Sequence, residues 1–471
     1  MTMLVGLGSS VVVAVIVAIV SSGGGGHPTV LRRISGTDDC PRMDNLAIRK
    51  PILFDAEGAS KCFGISTQVL RRVGYVSGGR MEYTLQAREV FGESRLFSPR
   101  HAQRSFASHI DFKYDDRLPE HVRPPPDPIE VNVSLQEILS SPETNRCLQA
   151  SIPLDESDPL LREGAVVQLV QSLAAFLSKD RPKSCSAVDA SARPVLWWSS
   201  PGSTSNAHYD RSLNLVVGIN GSKHWDIWDS REVEEYDLAP WLSTRYQQLA
   251  NASTLRAPIQ VTVGPGEVLF VPPFFAHRVR TSDNPEVVFS LSLLAPSEEE
   301  DRWARSRLAL QLFLGKWNRE EKLVAVWTFL DILIQELTRF APASVVQRYE
   351  AGRRTWPSDA QSFLGYLARH RYRHFSPIYD DEAAGEDLRK NECYRFNRLK
   401  NANALSHFRS ISRTFSLDSW GKGSKEICGR GPLSGGVIWL SVANLVEELI
   451  LFAVGGTGVD GVVFVFSHCF R

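Results

Sequence analysis

The sequence predicts a mainly β protein: a barrel of short antiparallel strands, preceded by an α/β extension and followed by helices. Three observations carry that prediction. Over residues 193–296, short β-branched and aromatic runs alternate with Gly, Pro, Asn and Asp, the pattern of an antiparallel barrel or sandwich. The best helix pattern of the first half, Gly164–Ser178, lies before this region. After Ser297 the apolar spacing changes to three and four residues, the period of a helix face.

Size and charge fit this reading. A chain of 471 residues has room for two or three domains. Its 43% hydrophobic and 23% charged residues suit a folded protein with a sizeable core. Lys plus Arg equals Asp plus Glu at 53 each, so no global field draws the protein to nucleic acid, and no nucleic-acid partner is expected.

The elements follow in order. Residues 1–22 read as a signal peptide or signal anchor: Met3 to Val20 is uncharged, and Val11 to Val20 is unbroken apolar sequence near the lower limit for a spanning helix. Membrane contact at the N-terminus and a place in the secretory pathway, in the lumen or anchored to the membrane, are therefore expected, with the cytoplasm as alternative. Seven scattered cysteines form no C-x-x-C pair, which argues against a zinc site and leaves one or two disulfides open in an exported chain. Residues 23–45 read as a linker, Ser/Gly-rich and then polar. Residues 46–192 form the N-terminal part of the barrel domain, starting from the strand-like Arg49–Phe54 and crossing the surface at the prolines of 123–128, which cannot join a helix or a central strand.

The barrel core is 193–296, with strands expected around Val195–Trp198, Leu213–Ile219, Trp225–Trp228, Ile259–Val263, Val268–Val271 and Val287–Leu294. Asn220-Gly221 between two of these runs predicts a two-residue hairpin, with Ile219 opposite Ser222 and Gly218 opposite Lys223. Residues 297–375 form a helical extension, with patterns at Glu298–Leu314 and Glu321–Phe340. Their apolar stripes suit packing against the barrel, and a homodimer surface is the other use. Residues 376–436 are polar and weakly patterned. The tail 437–471 is mostly apolar but interrupted by Glu447 and Glu448; an amphipathic helix and a second membrane contact both fit it, and no function is assigned.

The chemistry concentrates in three places. His208 and Asp210 are two residues apart, so on a strand they share a face and offer a nitrogen and a carboxylate oxygen together. His277 follows a Pro-Gly turn, an apolar strand and a Pro-Pro corner, 69 residues after His208. Two histidines and one carboxylate make the facial triad of non-haem iron(II) sites, which leaves coordination positions for a bidentate oxo acid and dioxygen. In the expected hairpin Lys223 points to the same face. A buried lysine requires an anion, and Gly218 opposite it would leave space for a small acid.

These residues resemble the Jumonji C and related cupin-like iron(II)- and 2-oxoglutarate-dependent oxygenases, and particularly the asparaginyl hydroxylase that acts on hypoxia-inducible factor. The resemblance is strong over residues 195–295 and fails beyond roughly residue 345. It implies a double-stranded β-helix (jelly-roll, cupin-like) fold, with iron(II) on His208, Asp210 and His277. Lys223, thirteen residues after Asp210, would grip the distal carboxylate of 2-oxoglutarate, assisted by Ser205, with Asn214 near the co-substrate pocket. Ser292 stands where that hydroxylase carries an asparagine, and Trp197 and Trp198 are bulkier than the family's residues before the motif, enough to narrow the pocket. The implied reaction is hydroxylation of a protein or peptide side chain, or demethylation by the same chemistry, with 2-oxoglutarate and dioxygen as co-substrates. A barrel that binds a ligand or partner without turnover is the alternative.

Overall fold

The computed structural model describes residues 31–41, 50–79, 84–89, 129–134, 148–154, 164–178, 192–205, 208–210, 212–229, 247–248, 257–282, 288–295, 318–340, 355–370 and 435–454, with a few single positions between 340 and 355. The segment read as a signal or anchor, the helix pattern Glu298–Leu314 and all but the last two residues of the polar stretch 376–436 lie outside them. Among the described residues, no helix is long and apolar enough to cross a membrane.

The N-terminal part contains β1 (Arg32–Ile34), β2 (Ile52–Phe54), α1 (Ala56–Phe63), α2 (Thr67–Gly79), β3 (Thr84–Glu89), β4 (Ile129–Ser134), β5 (Leu148–Pro153) and α3 (Gly164–Ser178). Helix α3 has the limits that its apolar periodicity predicts. The stretch 23–45, read as linker, contains β1, which pairs in parallel with β2. Cys40 and Cys62 form a disulfide that ties this strap to α1. Helix α1 starts where the Asp55 side chain accepts the Gly58 N–H at 2.8 Å, and stops at Gly64 in the left-handed conformation.

The barrel strands are β6 (Arg193–Ser199), β7 (His208–Tyr209), β8 (Leu213–Asn220), β9 (Lys223–Trp228), β10 (Gln247–Gln248), β11 (Ile259–Val263), β12 (Val268–Val271), β13 (Ala276–Thr281) and β14 (Val288–Ala295). Among the described residues the helices that follow are α4 (Arg319–Phe340), α5 (Ala360–His370) and α6 (Gly435–Val454). One sheet has the order β1-β2-β12-β8-β14-β6-β5-β3-β4, the other β10-β7-β13-β9-β11. Apart from β1 with β2, the pairings are antiparallel. Helices α1, α2 and α3 cover the outer face of the larger sheet, where Phe54, Leu215, Val217, Leu291, Leu173 and Phe176 are buried in one cluster. Between the sheets lies a second cluster with Leu53, Val216, Trp225, Ile227, Val263 and Val271. Strand β8 is therefore buried on both faces, which is why Leu213–Ile219 reads as continuous apolar sequence rather than an alternation.

The hairpin expected at Asn220-Gly221 does not form. Strand β8 pairs with β12 and β14, whereas β9 pairs with β11 and β13 in the opposite sheet. Gly221, with φ of 66°, turns the chain from one sheet to the other. The same positive φ that suits a hairpin also suits a corner, so the local signal does not distinguish them. Gly218 lies opposite Ser290, and Lys223 lies opposite Val263 and Thr281. The space beside Gly218 is filled as well. A Cβ there would collide with the Gly264 carbonyl, because the Gly264-Pro265-Gly266 turn crosses back between the sheets at that point.

Candidate metal centre

Strand β7 is two residues long and joins β13 in a register that sets His208 opposite His277. The two imidazoles are 4.4 Å apart between centroids, and His277 Nε2 lies 3.7 Å from Asp210 Oδ2. One ligand atom from each of the three residues falls within 4.8 Å of the others. His277 is buried, while His208 and Asp210 are half-buried and give the cluster an open side.

The donor chemistry suits a divalent cation. Nδ1 of His277 is 3.0 Å from the Phe275 carbonyl. A carbonyl only accepts, so Nδ1 carries the hydrogen and Nε2 keeps its lone pair towards Asp210. Burial, reinforced by the neighbouring His208, lowers the His277 pKa to about 4, so its imidazole is neutral and able to ligate at pH 7. The Asp210 backbone is held too: its carbonyl accepts the Phe274 N–H at 2.7 Å. Phe274 makes this bond from a left-handed conformation, φ 65°, at the corner formed by Pro272 and Pro273. The indole of Trp225 packs 5.3 Å from the His277 ring.

Lys223 points into the barrel, 5% exposed, although by a different register from the one its sequence suggests. Its Nζ donates to Ser290 Oγ at 2.8 Å, and among the described residues no carboxylate pairs with it. Burial lowers its pKa to about 7. Ser290 was not picked out by the sequence reading, which chose Ser292. The alternation in Phe289-Ser-Leu-Ser-Leu puts both serines on the interior face, and only the pairing of β14 with β8 distinguishes the one that reaches the lysine. Ser292 is buried between Val195 and Val216.

The remaining candidates separate. Asn214 sits on the interior face of β8, buried, with Oδ1 lacking a hydrogen-bond partner among the described residues. Ser205 is engaged with the backbone of β13: its Oγ accepts the Val279 N–H at 2.9 Å and its own N–H donates to the Val279 carbonyl at 2.8 Å. Of the two tryptophans expected to narrow the pocket, Trp198 faces away, packed among the outer cluster against Phe289. Trp197 lies opposite Ser290 on the interior side.

Fold and cluster together define a cupin domain with a His-Asp-His group able to hold a metal ion. Residues 156–291 match the family model of the cupin-like domain, a span that includes the three candidate ligands, Lys223 and Ser290. Among curated proteins, none matches the chain. The likeness shown is to the cupin-like domain.

Proposed function

We propose that this protein is an iron(II)-dependent oxygenase that uses 2-oxoglutarate and dioxygen to hydroxylate a side chain of a protein or peptide. The observation that carries this reading is Lys223: a lysine deep in the barrel that holds the His-Asp-His cluster, hydrogen-bonded to a neutral serine and, among the described residues, lacking a carboxylate partner. Burying an ammonium group without an anion is costly, so a ligand carboxylate supplied from solution is the natural partner.

Bound iron(II) and 2-oxoglutarate would supply C–H hydroxylation, with the oxo acid and dioxygen leaving as succinate, carbon dioxide and the hydroxyl oxygen of the product. The chain's own residues have separate tasks. His208, Asp210 and His277 would hold the metal, with His277 oriented by the Phe275 carbonyl. Lys223 and Ser290 would bind the far carboxylate, with Asn214, Ser205 and Ser292 lining or supporting that pocket. The apolar cluster around Val216, Ile227, Val263 and Val271 keeps water from the barrel interior. Half-exposed His208 and Asp210 leave a mouth through which a side chain enters.

The Cys40–Cys62 disulfide supports a secretory-pathway location, since such bonds persist in oxidising compartments. The balanced charge favours a protein or peptide partner over nucleic acid.

The test needs no substrate. The full chain, freed of metal, is mixed anaerobically with iron(II) and 2-oxoglutarate, and the weak visible charge-transfer band of the chelate is sought. The expected result is a band in the wild type that disappears in His208→Ala and needs far more 2-oxoglutarate in Lys223→Ala. A well-folded wild type that binds iron(II) but gives no band would overturn the oxygenase reading in favour of a ligand-binding barrel.

A further inference from the structure

We propose that α6, the apolar helix near the end of the chain, is part of the metal centre, and that its Asn444 is a positioning residue acting on the metal ligands through Tyr209. This rests on the reading of His208, Asp210 and His277 as a metal site. Tyr209 stands between the first two ligands, so on β7 it projects to the opposite face from them. It is 2% exposed, and its hydroxyl meets the side-chain amide of Asn444, itself 1% exposed: Nδ2 lies 3.0 Å from Oη and Oδ1 lies 3.3 Å from it. The tyrosine ring stacks on Phe274, 6.0 Å between centroids, and the Phe274 N–H holds the carbonyl of Asp210. One buried unit therefore fixes both sides of the H-x-D pair.

A two-residue strand has little backbone pairing with which to hold two metal ligands in place. Side-chain anchors add to that pairing, and one among the described residues lies on a helix 235 residues away in sequence. The helix is itself well seated. Val442, Val446, Leu449 and Ile450 are buried, α4 packs along it, Trp439 meets Trp356 and Phe363 at 4.9 and 5.2 Å, and Lys322 lies 5.0 Å above the ring of Phe452. A metal site tolerates only about 0.5 Å of displacement in its ligands. Loss of the amide would let Tyr209 relax and move His208 and Asp210 relative to His277.

The experiment measures cobalt(II) as a spectroscopic substitute, bound anaerobically to the full chain, by titration of its visible ligand-field absorption. Asn444→Leu keeps the size of the side chain and removes the hydrogen bonds, and Tyr209→Phe removes one oxygen and keeps the ring. Each is expected to weaken cobalt(II) binding by roughly 10- to 100-fold, the usual effect of losing a group that orients ligands, and to change the band intensities. The double variant should be no worse than either single one, because both remove the same link. Leu173→Ala, in α3 against the other sheet, serves as a control: it should lower the melting temperature without altering cobalt(II) affinity or spectrum. Should Asn444→Leu not fold, Tyr209→Phe decides alone. Wild-type affinity and spectrum in a folded Tyr209→Phe or Asn444→Leu, or strictly additive losses in the double variant, would overturn the positioning role while leaving the metal site standing. A wild type that binds no cobalt(II) would remove the metal site and this inference together.

Discussion

Lys223 is the residue on which charge and function meet. An unfolded lysine keeps its proton up to 10.5, whereas folded Lys223 keeps it only to about 7, because burial penalises the charged form. Between those values the unfolded state binds the extra proton, so stability rises with pH, at most by about 1.4 kcal/mol per pH unit from this one group. Below about 7 both states are protonated, and the full cost of the buried charge is present. A bound carboxylate would raise the pKa of Lys223 again. Melting temperatures across this window should therefore climb with pH in the free protein and climb less with manganese(II) and 2-oxoglutarate present. Lys223→Met should abolish the difference, and should weaken 2-oxoglutarate binding by roughly 2–5 kcal/mol. A slope that persists in Lys223→Met would assign it to another group. The shared facing of His208 and Asp210 was legible because strand alternation is local, whereas that of Lys223 was inferred through a hairpin that does not form. Ser290 was not legible, since its contact with Lys223 spans 67 residues and two sheets.

Among the elements, the turns between sheets control the geometry. Gly218 gives way to the carbonyl of Gly264, so the turn that leads into β12 threads past β8 only because no side chain is there. Gly218→Ala should destabilise the fold by roughly 1–3 kcal/mol, as overpacking against backbone does, and a denaturant midpoint measures it. A neutral result would mean that the crossing turn can shift. Helix α3 and strands β8, β11, β12 and β14 could be read directly from apolar patterning and turn residues. Strand β7 could not, because two residues carry no periodicity; it exists as a strand through β13 and β10. Likewise the Asn-Gly signal marked the end of β8 and a glycine of positive φ, but not a hairpin: the next strand pairs in the other sheet.

At the level of the whole molecule, two distant segments close the domain. The strap at 31–41 adds β1 to the edge of the large sheet, Lys61 Nζ donates to the Asp38 carbonyl at 2.7 Å, and Cys40–Cys62 seals the join. Cys62→Ser, or reductant, should cost about 3 kcal/mol, the chain-entropy value for a loop of this length, read as a fall in melting temperature. No fall, together with two free thiols by mass spectrometry of protein purified without reductant, would sink both the bond and the argument it lends to the proposed secretory location. At the other end, α6, which takes up the first part of a tail that sequence left without a role, packs on α4 and meets Tyr209 of β7 through Asn444. The helices after Ser297 were expected to pack against the barrel; α4 lies instead against α6 and α5.

By itself the sequence determined the barrel class and the H-x-D pair with its distal histidine, because each follows from side-chain alternation or from the chemistry of a few adjacent residues; it reached the inward lysine only through a hairpin that does not form. Only the tertiary structure decided that β8 and β9 belong to opposite sheets, that Ser290 and not a hairpin partner meets Lys223, and that Asn444 stands behind Tyr209. Those pairings depend on packing between segments tens to hundreds of residues apart, and no local periodicity encodes which of several equally apolar faces will meet.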